Sequence, residues 1–309
     1  MTPPHISVLS AEILSFFSDH KLQVFVDGTL GAGGHSAAIL AANPELDLLI
    51  GIDQDPQALE IAKHRLAPWS EKTKLIRGNF RELPVHLDKL GIKAVDGMLF
   101  DIGVSSMQLD IPEKGFSFSQ EGPLDMRMDP SAPLTAEEIV NTWTEEKLGW
   151  VFREYGEEKR WRQAARAIVV ARGSQPIKTT TELAAILRPH FFWNKKGINP
   201  LTLIFQGLRI CVNGELDALE QLIPAAIERL RPGGRLCVIS FHSLEDRIVK
   251  NRFRYEASDK EDTSGVAGMF IDKEPRVRLL TRKPIMPTEQ EVEMNPRSRS
   301  AKLRVVEKI

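Results

Sequence analysis

Two carboxylates, each ending an apolar run, are the residues best placed to hold a charged small molecule. Leu22-Gln23-Val24-Phe25-Val26-Asp27 runs straight into Gly28-Thr29-Leu30-Gly31-Ala32-Gly33-Gly34-His35, and Leu48-Leu49-Ile50-Gly51-Ile52-Asp53 ends a second run in an acid. Glycines at 31, 33 and 34 let a ligand approach the backbone where a Cβ would clash. Asp53 falls where a carboxylate accepts both hydroxyls of a ribose in a nucleotide-binding βαβ unit. The dinucleotide spacing G-x-G-x-x-G fits only in part, because Ser36 stands at its third glycine. Asp27, at the end of the first run, would repel a pyrophosphate and attract a cation. Asp27, Gly31, Gly33, Gly34 and Asp53 therefore read as a pocket for S-adenosylmethionine, a sulfonium with an amino-acid tail. A nicotinamide dinucleotide is the alternative.

A third acid supplies the candidate chemistry. Gly97-Met98-Leu99-Phe100-Asp101 leads into Ile102-Gly103-Val104-Ser105-Ser106, so Asp101 is expected to emerge from a buried run beside a bound methyl donor. Its other reading is a helix N-cap. If the acceptor is an exocyclic base amine, its lone pair is delocalised and the nitrogen is a poor nucleophile. A carboxylate accepting an N–H bond enriches the nitrogen and aims it, a charge-assisted bond worth about 1.5–3 kcal/mol. In-line alignment of nitrogen, methyl carbon and sulfur contributes more. Ser240-Phe241-His242-Ser243-Leu244-Glu245-Asp246 follows another buried run, with Ser243 the expected N-cap and His242 either a substrate contact beside Asp101 or a structural histidine. Gly115-Phe116-Ser117-Phe118 offers rings that could stack a base or fill the core. The seven histidines form no metal-ligand spacing.

The elements that position these groups alternate. Strands are expected near 23–27, 48–52, 73–77 and 95–100, with helices between them, the pattern of a parallel sheet. Asp55 and Pro56 suit the cap and first position of the second helix. Residues 110–134 read as a long functional loop. Residues 135–213 are helical, with Trp143, Leu148, Val151 and Phe152, then Ala164, Ala165, Ile168 and Val169, at helical spacing. A helix near 215–230, a turn at Arg231-Pro232-Gly233-Gly234 and a strand at 235–241 resume the βα rhythm. Residues 302–307 alternate as an edge strand would. The division is a catalytic domain at 1–109 and 214–309, with a loop and helical insertion at 110–213 for nucleic-acid recognition.

The 309 residues, 42% hydrophobic, allow a substantial core. No apolar run approaches a membrane span, residues 1–5 lack a secretion signal, and Cys211 and Cys237 sit in apolar surroundings as reduced core thiols, so a cytoplasmic protein is expected. The net charge of −1 conceals segregation: residues 1–158 carry 13 Lys and Arg against 25 Asp and Glu, residues 159–209 carry 10 against 1, and residues 273–309 carry 10 against 5. Basic blocks on an acidic chain point to a polyanion, most simply nucleic acid. Pairing of the basic block with the acidic half is the alternative. The tail Asn295-Pro296-Arg297-Ser298-Arg299-Ser300-Ala301-Lys302-Leu303-Arg304 offers further phosphate donors.

Six segments together resemble one family. Asp27 to Ser36, Gly51 to Asp55, Asp101 to Asp110, Leu124-Asp125-Met126-Arg127-Met128, Ser240 to Arg247 and Asn295 to Arg304 are similar to the RsmH (MraW) family of 16S ribosomal RNA cytosine-N4 methyltransferases, in order over nearly the whole chain. The resemblance implies an α/β, class I S-adenosylmethionine-dependent methyltransferase, Rossmann-like with a mostly parallel sheet and an inserted helical domain. It implies a cytidine of the decoding region as target, within 16S ribosomal RNA of the small ribosomal subunit, with homodimerisation left open. Cofactor contacts carried over from the family fall on Gly33, Gly34, His35, Asp53, Phe80, Asp101 and Gln108. Ile102-Gly103-Val104 replaces the two prolines and aromatic that follow the acid in the better-known amino-methyltransferase motif. Two other readings are a nicotinamide-dependent reductase and a non-catalytic RNA-binding assembly factor; a DNA or small-molecule methyltransferase sits less well with the basic insertion.

Overall fold

The computed structural model describes residues 7–191, 198–262 and 270–309, and the chain divides into two compact units, 1–103 with 216–309, and 104–215. Residues 1–5, read above for a targeting signal, and Lys195 and Lys196 of the basic block lie outside the described residues.

Among the described residues the first unit has nine strands: β1 (Val24–Asp27), β2 (Leu48–Asp53), β3 (Thr73–Arg77), β4 (Val95–Asp101), β5 (Leu230–Ser240), β6 (Lys260–Asp262), β7 (Phe270–Asp272), β8 (Val277–Leu279) and β9 (Lys302–Lys308). Seven form one sheet in the order β3-β2-β1-β4-β5-β9-β8, while β6 and β7 pair as a separate antiparallel ribbon. Strands β1 to β5 run parallel, and β9 is antiparallel to both β5 and β8. This is a Rossmann-like arrangement, the fold that the family resemblance implies.

Alternation along each strand sorts the core into two layers. Val26, Ile50, Ile52, Met98, Phe100, Leu236, Val238 and Val306 face one side, against Leu83 and Leu87, Leu219 and Leu222, and Val249 and Phe253 of three helices. Phe25, Leu49, Leu99, Cys237, Ile239, Leu303 and Val305 face the other, against Ile13, Ile39, Leu40 and Ala62. Each such side chain taken fully out of water contributes about 1.5–3 kcal/mol. Between these layers the carboxyl ends of β1, β2 and β4 present Asp27, Asp53 and Asp101 along one edge.

Two readings of the elements are corrected. The 302–307 strand is no edge: β9 lies between β5 and β8, because Val277–Leu279 adds outside it. The segment 231–234 lies inside β5 as a bulge, with Val95 opposite Leu230 and Gly97 opposite Arg235.

The second unit is helical, comprising Ser106–Asp110, Ala136–Thr142, Glu145–Glu154, Trp161–Arg172, Thr180–Leu187 and Pro200–Asn213. Thr135, Thr144 and Thr179 cap three of these by accepting N–H bonds, the last in a full capping box with Glu182. The 110–134 loop is tied down by its own polar groups. Arg127 grips Asp125 through two nitrogens at 2.8 Å, and Asn213 donates to the Met126 carbonyl at 2.8 Å. Leu124, Met126 and Met128 consequently drop into the helical core. Phe116 is buried there too, and Phe118 packs edge-on against Phe205 at 5.0 Å. These rings fill the core and are not a base-stacking surface.

Candidate active site

The site grows from β1 outward. Gly28 follows Asp27, and a Cβ there would fall 2.0 Å from the Phe100 ring, so only glycine allows β1 to leave the sheet beside β4. Gly33 then adopts φ 74° as the cap of the helix Gly34–Ala42, a left-handed conformation that glycine takes without Cβ strain. The turn this creates aims backbone N–H groups at one another's acids. Gly31 donates its N–H to Asp53 Oδ2 at 2.8 Å, and Asp55 donates to Asp53 Oδ1 at 2.8 Å. Gly34 closes the turn against Ser7 and Arg65.

Asp27 is 1% exposed. Ser36, the residue at the missing third glycine, donates its hydroxyl to Asp27 Oδ2 at 2.7 Å, and Thr29 donates its N–H to Oδ1 at 3.3 Å. Asp27 thus holds the turn and acts on the pocket through its field. Burial pushes its carboxyl above the ordinary aspartate range, with the Ser36 bond offsetting part of the rise. Asp53 is also raised by burial, to about 6, although its two backbone N–H bonds favour the ionised form.

Asp101 ends β4 with its N–H on Thr29 Oγ1 at 2.6 Å. Its Oδ2 stands 3.6 Å from His35 Nε2. Asp101 Oδ1 and His35 Nε2 are sealed from solvent and have no hydrogen-bond partner among the described residues. Asp101 does not cap a helix, since the next one begins at Ser106. Phe80, in the short turn Phe80–Glu82 after β3, meets Phe100 edge-on at 6.1 Å, and Asn79 caps that turn through the Arg81 N–H. One unit therefore brings Asp27, Gly31, Gly33, Gly34, His35, Asp53, Phe80 and Asp101 to the carboxyl ends of β1 to β4. Gln108 belongs to the helical unit, where its Oε1 accepts the Ser105 N–H at 2.9 Å.

At the end of β5, His242 and not Ser243 is the N-cap of the helix Ser243–Ala257, its Nδ1 accepting the Glu245 N–H at 3.4 Å. Glu245 is 0% exposed; its Oε2 accepts the Phe241 and His242 N–H groups at 2.8 and 3.3 Å, and its Oε1 lies 3.0 Å from His242 Nε2. The His242 ring is thereby oriented by Glu245. A Cβ on Gly103 would fall 3.4 Å from the Phe241 ring and 3.9 Å from Glu245 Oε1, so this cap stands next to the segment that follows Asp101. Thr29, Ser36 and Glu245 were missed in the sequence. The available signal was the capping-box spacing of His242 and Glu245.

Arg304 of the basic tail is buried and pairs with Asp246 through Nε at 2.7 Å and Nη2 at 3.2 Å. It is a structural residue and not a phosphate donor. Among the described residues no three His, Cys, Asp or Glu side chains gather as metal ligands, and no helix is long and apolar enough to cross a membrane. Cys211 and Cys237 are free thiols.

Comparison with known proteins covers nearly the whole chain. A ribosomal RNA small subunit methyltransferase H of Protochlamydia amoebophila is 60% identical over 308 residues, covering 99% of this chain and 98% of that protein. Proteins of the same description from Geotalea uraniireducens and Halothermothrix orenii are 46% and 45% identical, each covering 99% of this chain and 98% of theirs. Residues 2–309 match the model of the MraW methylase family, and the chain belongs to that family.

Proposed function

We propose that this protein transfers a methyl group from S-adenosylmethionine to the N4 amine of a cytidine in the decoding region of 16S ribosomal RNA. The observation that carries the reading is the trio of acids at adjacent strand ends, with Asp53 on the glycine turn and Asp101 holding an unshared buried oxygen. Membership of a methylase family and the description of the relatives support it.

The residues present fit the cofactor. At Gly31 a Cβ would meet only the Thr29 carbonyl oxygen, at 3.9 Å, so that backbone is open to close approach, and the orphaned His35 Nε2 and Asp101 Oδ1 are buried polar atoms that a ligand can engage. When bound, S-adenosylmethionine supplies an electrophilic methyl on a cationic sulfur. Asp53 retains lone pairs for the two ribose hydroxyls, because each of its oxygens accepts only one backbone N–H. Phe80 offers an apolar ring to an adenine. The Asp27 field favours a positive ligand.

For the transfer itself, Asp101 Oδ1 accepts an N–H of the cytidine amine. That bond increases electron density on nitrogen and orients it, and as the N–C bond forms and the S–C bond breaks the same carboxylate takes the surplus proton. His242, beside the 101–103 segment and held by Glu245, contacts the base. Extracting the cytidine from its stack costs a few kcal/mol, offset by cationic side chains on the flanking phosphates. The insertion at 104–215 supplies that grip.

The test is mass spectrometry of 16S ribosomal RNA from cells with and without the protein, together with methyl transfer from labelled cofactor to unmodified small subunits. Loss of one N4-methylcytidine in the deleted strain and its restoration by purified protein are expected. Unchanged modification, or stimulation of the pure protein by NADH in place of the sulfonium, overturns the reading.

A further inference from the structure

The helical unit presents a surface that the transfer chemistry does not use. On the helix Glu145–Glu154, Trp150 is 44% exposed, although tryptophan is costly to leave in water. Its ring is held edge-on to Tyr155, with centroids 4.8 Å apart at 71°. One turn along, Arg153 lies over the Trp161 ring at 5.4 Å, and Arg162 covers the same ring at 4.0 Å. Trp161 seats closely on Gly149, where a Cβ would fall 2.7 Å from the indole. Trp150, Arg153, Trp161 and Arg162 are thus one continuous surface across two packed helices.

The helix Trp161–Arg172 extends it. Ala164, Ala165 and Ile168 face the core, while Arg162, Gln163, Arg166 and Val170 are turned outward, with Lys159 and Arg160 exposed just before the helix. The helix itself carries no carboxylate, although Glu157 and Glu158 directly precede Lys159 and Arg153 pairs with Glu154 at 2.6 Å. Arg209 of the same basic segment meets Glu215, Arg172 donates to the Val140 carbonyl and Arg160 to that of His190. Arg162 and Arg166 meet no carboxylate among the described residues. Internal pairing therefore does not account for these two cations, which stand one turn, about 6 Å, apart along the axis.

We infer that Trp150, Trp161, Arg162 and Arg166 form a binding site for single-stranded RNA, in which an unpaired base stacks on Trp150 and the adjoining phosphates run along Arg162 and Arg166. The inference rests on the proposed ribosomal RNA substrate and names where the insertion grips it. An indole pinned by Tyr155 loses little freedom on stacking, and every base has a face to offer it. The guanidinium of Arg162 stacks on Trp161 by its plane and keeps N–H edges for phosphate oxygens. The surface reads no base edge, so it positions the strand and leaves choice of nucleotide to the catalytic unit.

The experiment uses the full chain with unmodified small ribosomal subunits and, separately, a short single-stranded RNA. Trp150→Ala, the double variant Arg162→Ala with Arg166→Ala, and a control, Lys89→Ala on the other unit, are compared with the parent. Melting curves with and without S-adenosylhomocysteine check folding and the cofactor pocket, and are expected to match the parent in all three. Trp150→Ala should raise KM for subunits about tenfold with kcat retained, the signature of lost uniform binding, whereas Trp150→Phe should restore most of it. The double variant should weaken RNA binding at least tenfold at low salt and flatten the slope of log K against log salt by about 1.5, the loss of two phosphate contacts. Quenching of tryptophan fluorescence by the RNA should fall by the Trp150 share in Trp150→Phe, with the Trp161 share remaining. Parent-like KM and salt slope in both variants, with the parent active on subunits, overturn this site alone. A parent that neither binds nor methylates RNA overturns the substrate reading beneath it.

Discussion

His35 Nε2 stands 3.6 Å from Asp101 Oδ2, and neither that nitrogen nor Asp101 Oδ1 has a hydrogen-bond partner among the described residues. Leaving a buried polar atom unpaired costs roughly 1–3 kcal/mol. A ligand that engages these two atoms removes that cost. Asp101→Ala should lower methyl transfer to subunits by 10²-fold or more. Asp101→Asn should keep its melting temperature within a few degrees of the parent and still lose most of the rate, because an amide takes up no proton. Undiminished transfer by either variant would remove Asp101 from the chemistry.

Asp53 gives the pocket a pH dependence. Its carboxyl is raised from 3.8 to about 6 by burial. With the folded value above the unfolded one, the unfolded chain releases the proton first, so the cofactor-free protein loses stability as pH rises from about 4 to 6. The ribose hydroxyls donate to the ionised form. Cofactor affinity should accordingly fall by up to about tenfold per unit as pH drops below 6, and calorimetry in buffers of different ionisation heat should show proton release near that pH. Asp53→Asn should bind weakly at every pH, with the slope gone.

Gly28 links sheet packing to the adenine side of the pocket. A methyl group at that position would lie 2.0 Å from Phe100, which meets Phe80 edge-on. Gly28→Ala should destabilise the protein by about 1–3 kcal/mol, read from urea unfolding, and should weaken cofactor binding as the Phe100 and Phe80 rings shift together.

The Asp246–Arg304 pair should behave as a buried structural bridge. Burial pushes the Asp246 carboxyl up, but Arg304, Lys302 and Lys250 more than offset it and hold it below the ordinary range. Its contribution is present at neutral pH and is lost on acidification through that lowered value. Arg304→Ala should cost about 1–3 kcal/mol by removing both guanidinium bonds and leaving Asp246 only Lys302, at 3.6 Å, as an ion-pair partner among the described residues, while Arg304→Met with Asp246→Leu should recover most of it. The salt dependence of RNA binding should not change in either, in contrast to the Arg162 and Arg166 double variant.

Local chemistry made much of this legible before any fold was drawn. Short continuous apolar runs marked the strands at 24–27, 48–53, 73–77 and 95–101 within one residue, because strands of a parallel sheet are buried on both faces. Glycines beside acids marked the pocket, since left-handed turns and charged strand ends are properties of a few consecutive residues. Asp55 and Pro56 gave a helix start by identical logic.

Decisions that depend on distant partners were not readable there. Whether β9 is an edge or an interior strand is decided by Val277–Leu279 pairing outside it. Whether Arg304 reaches a phosphate or a carboxylate is decided by Asp246 on another element. The sequence left open whether Phe116 and Phe118 stack a base or fill the core; the ordered 110–134 loop packs them against the helical core while Trp150 stays outside. His242 is turned to cap a helix by Glu245, a residue whose burial only the assembled sheet imposes. Composition and spacing determine which groups are available. Tertiary packing decides which of them remain free to act, because desolvation and pairing are set by neighbours the local sequence does not contain.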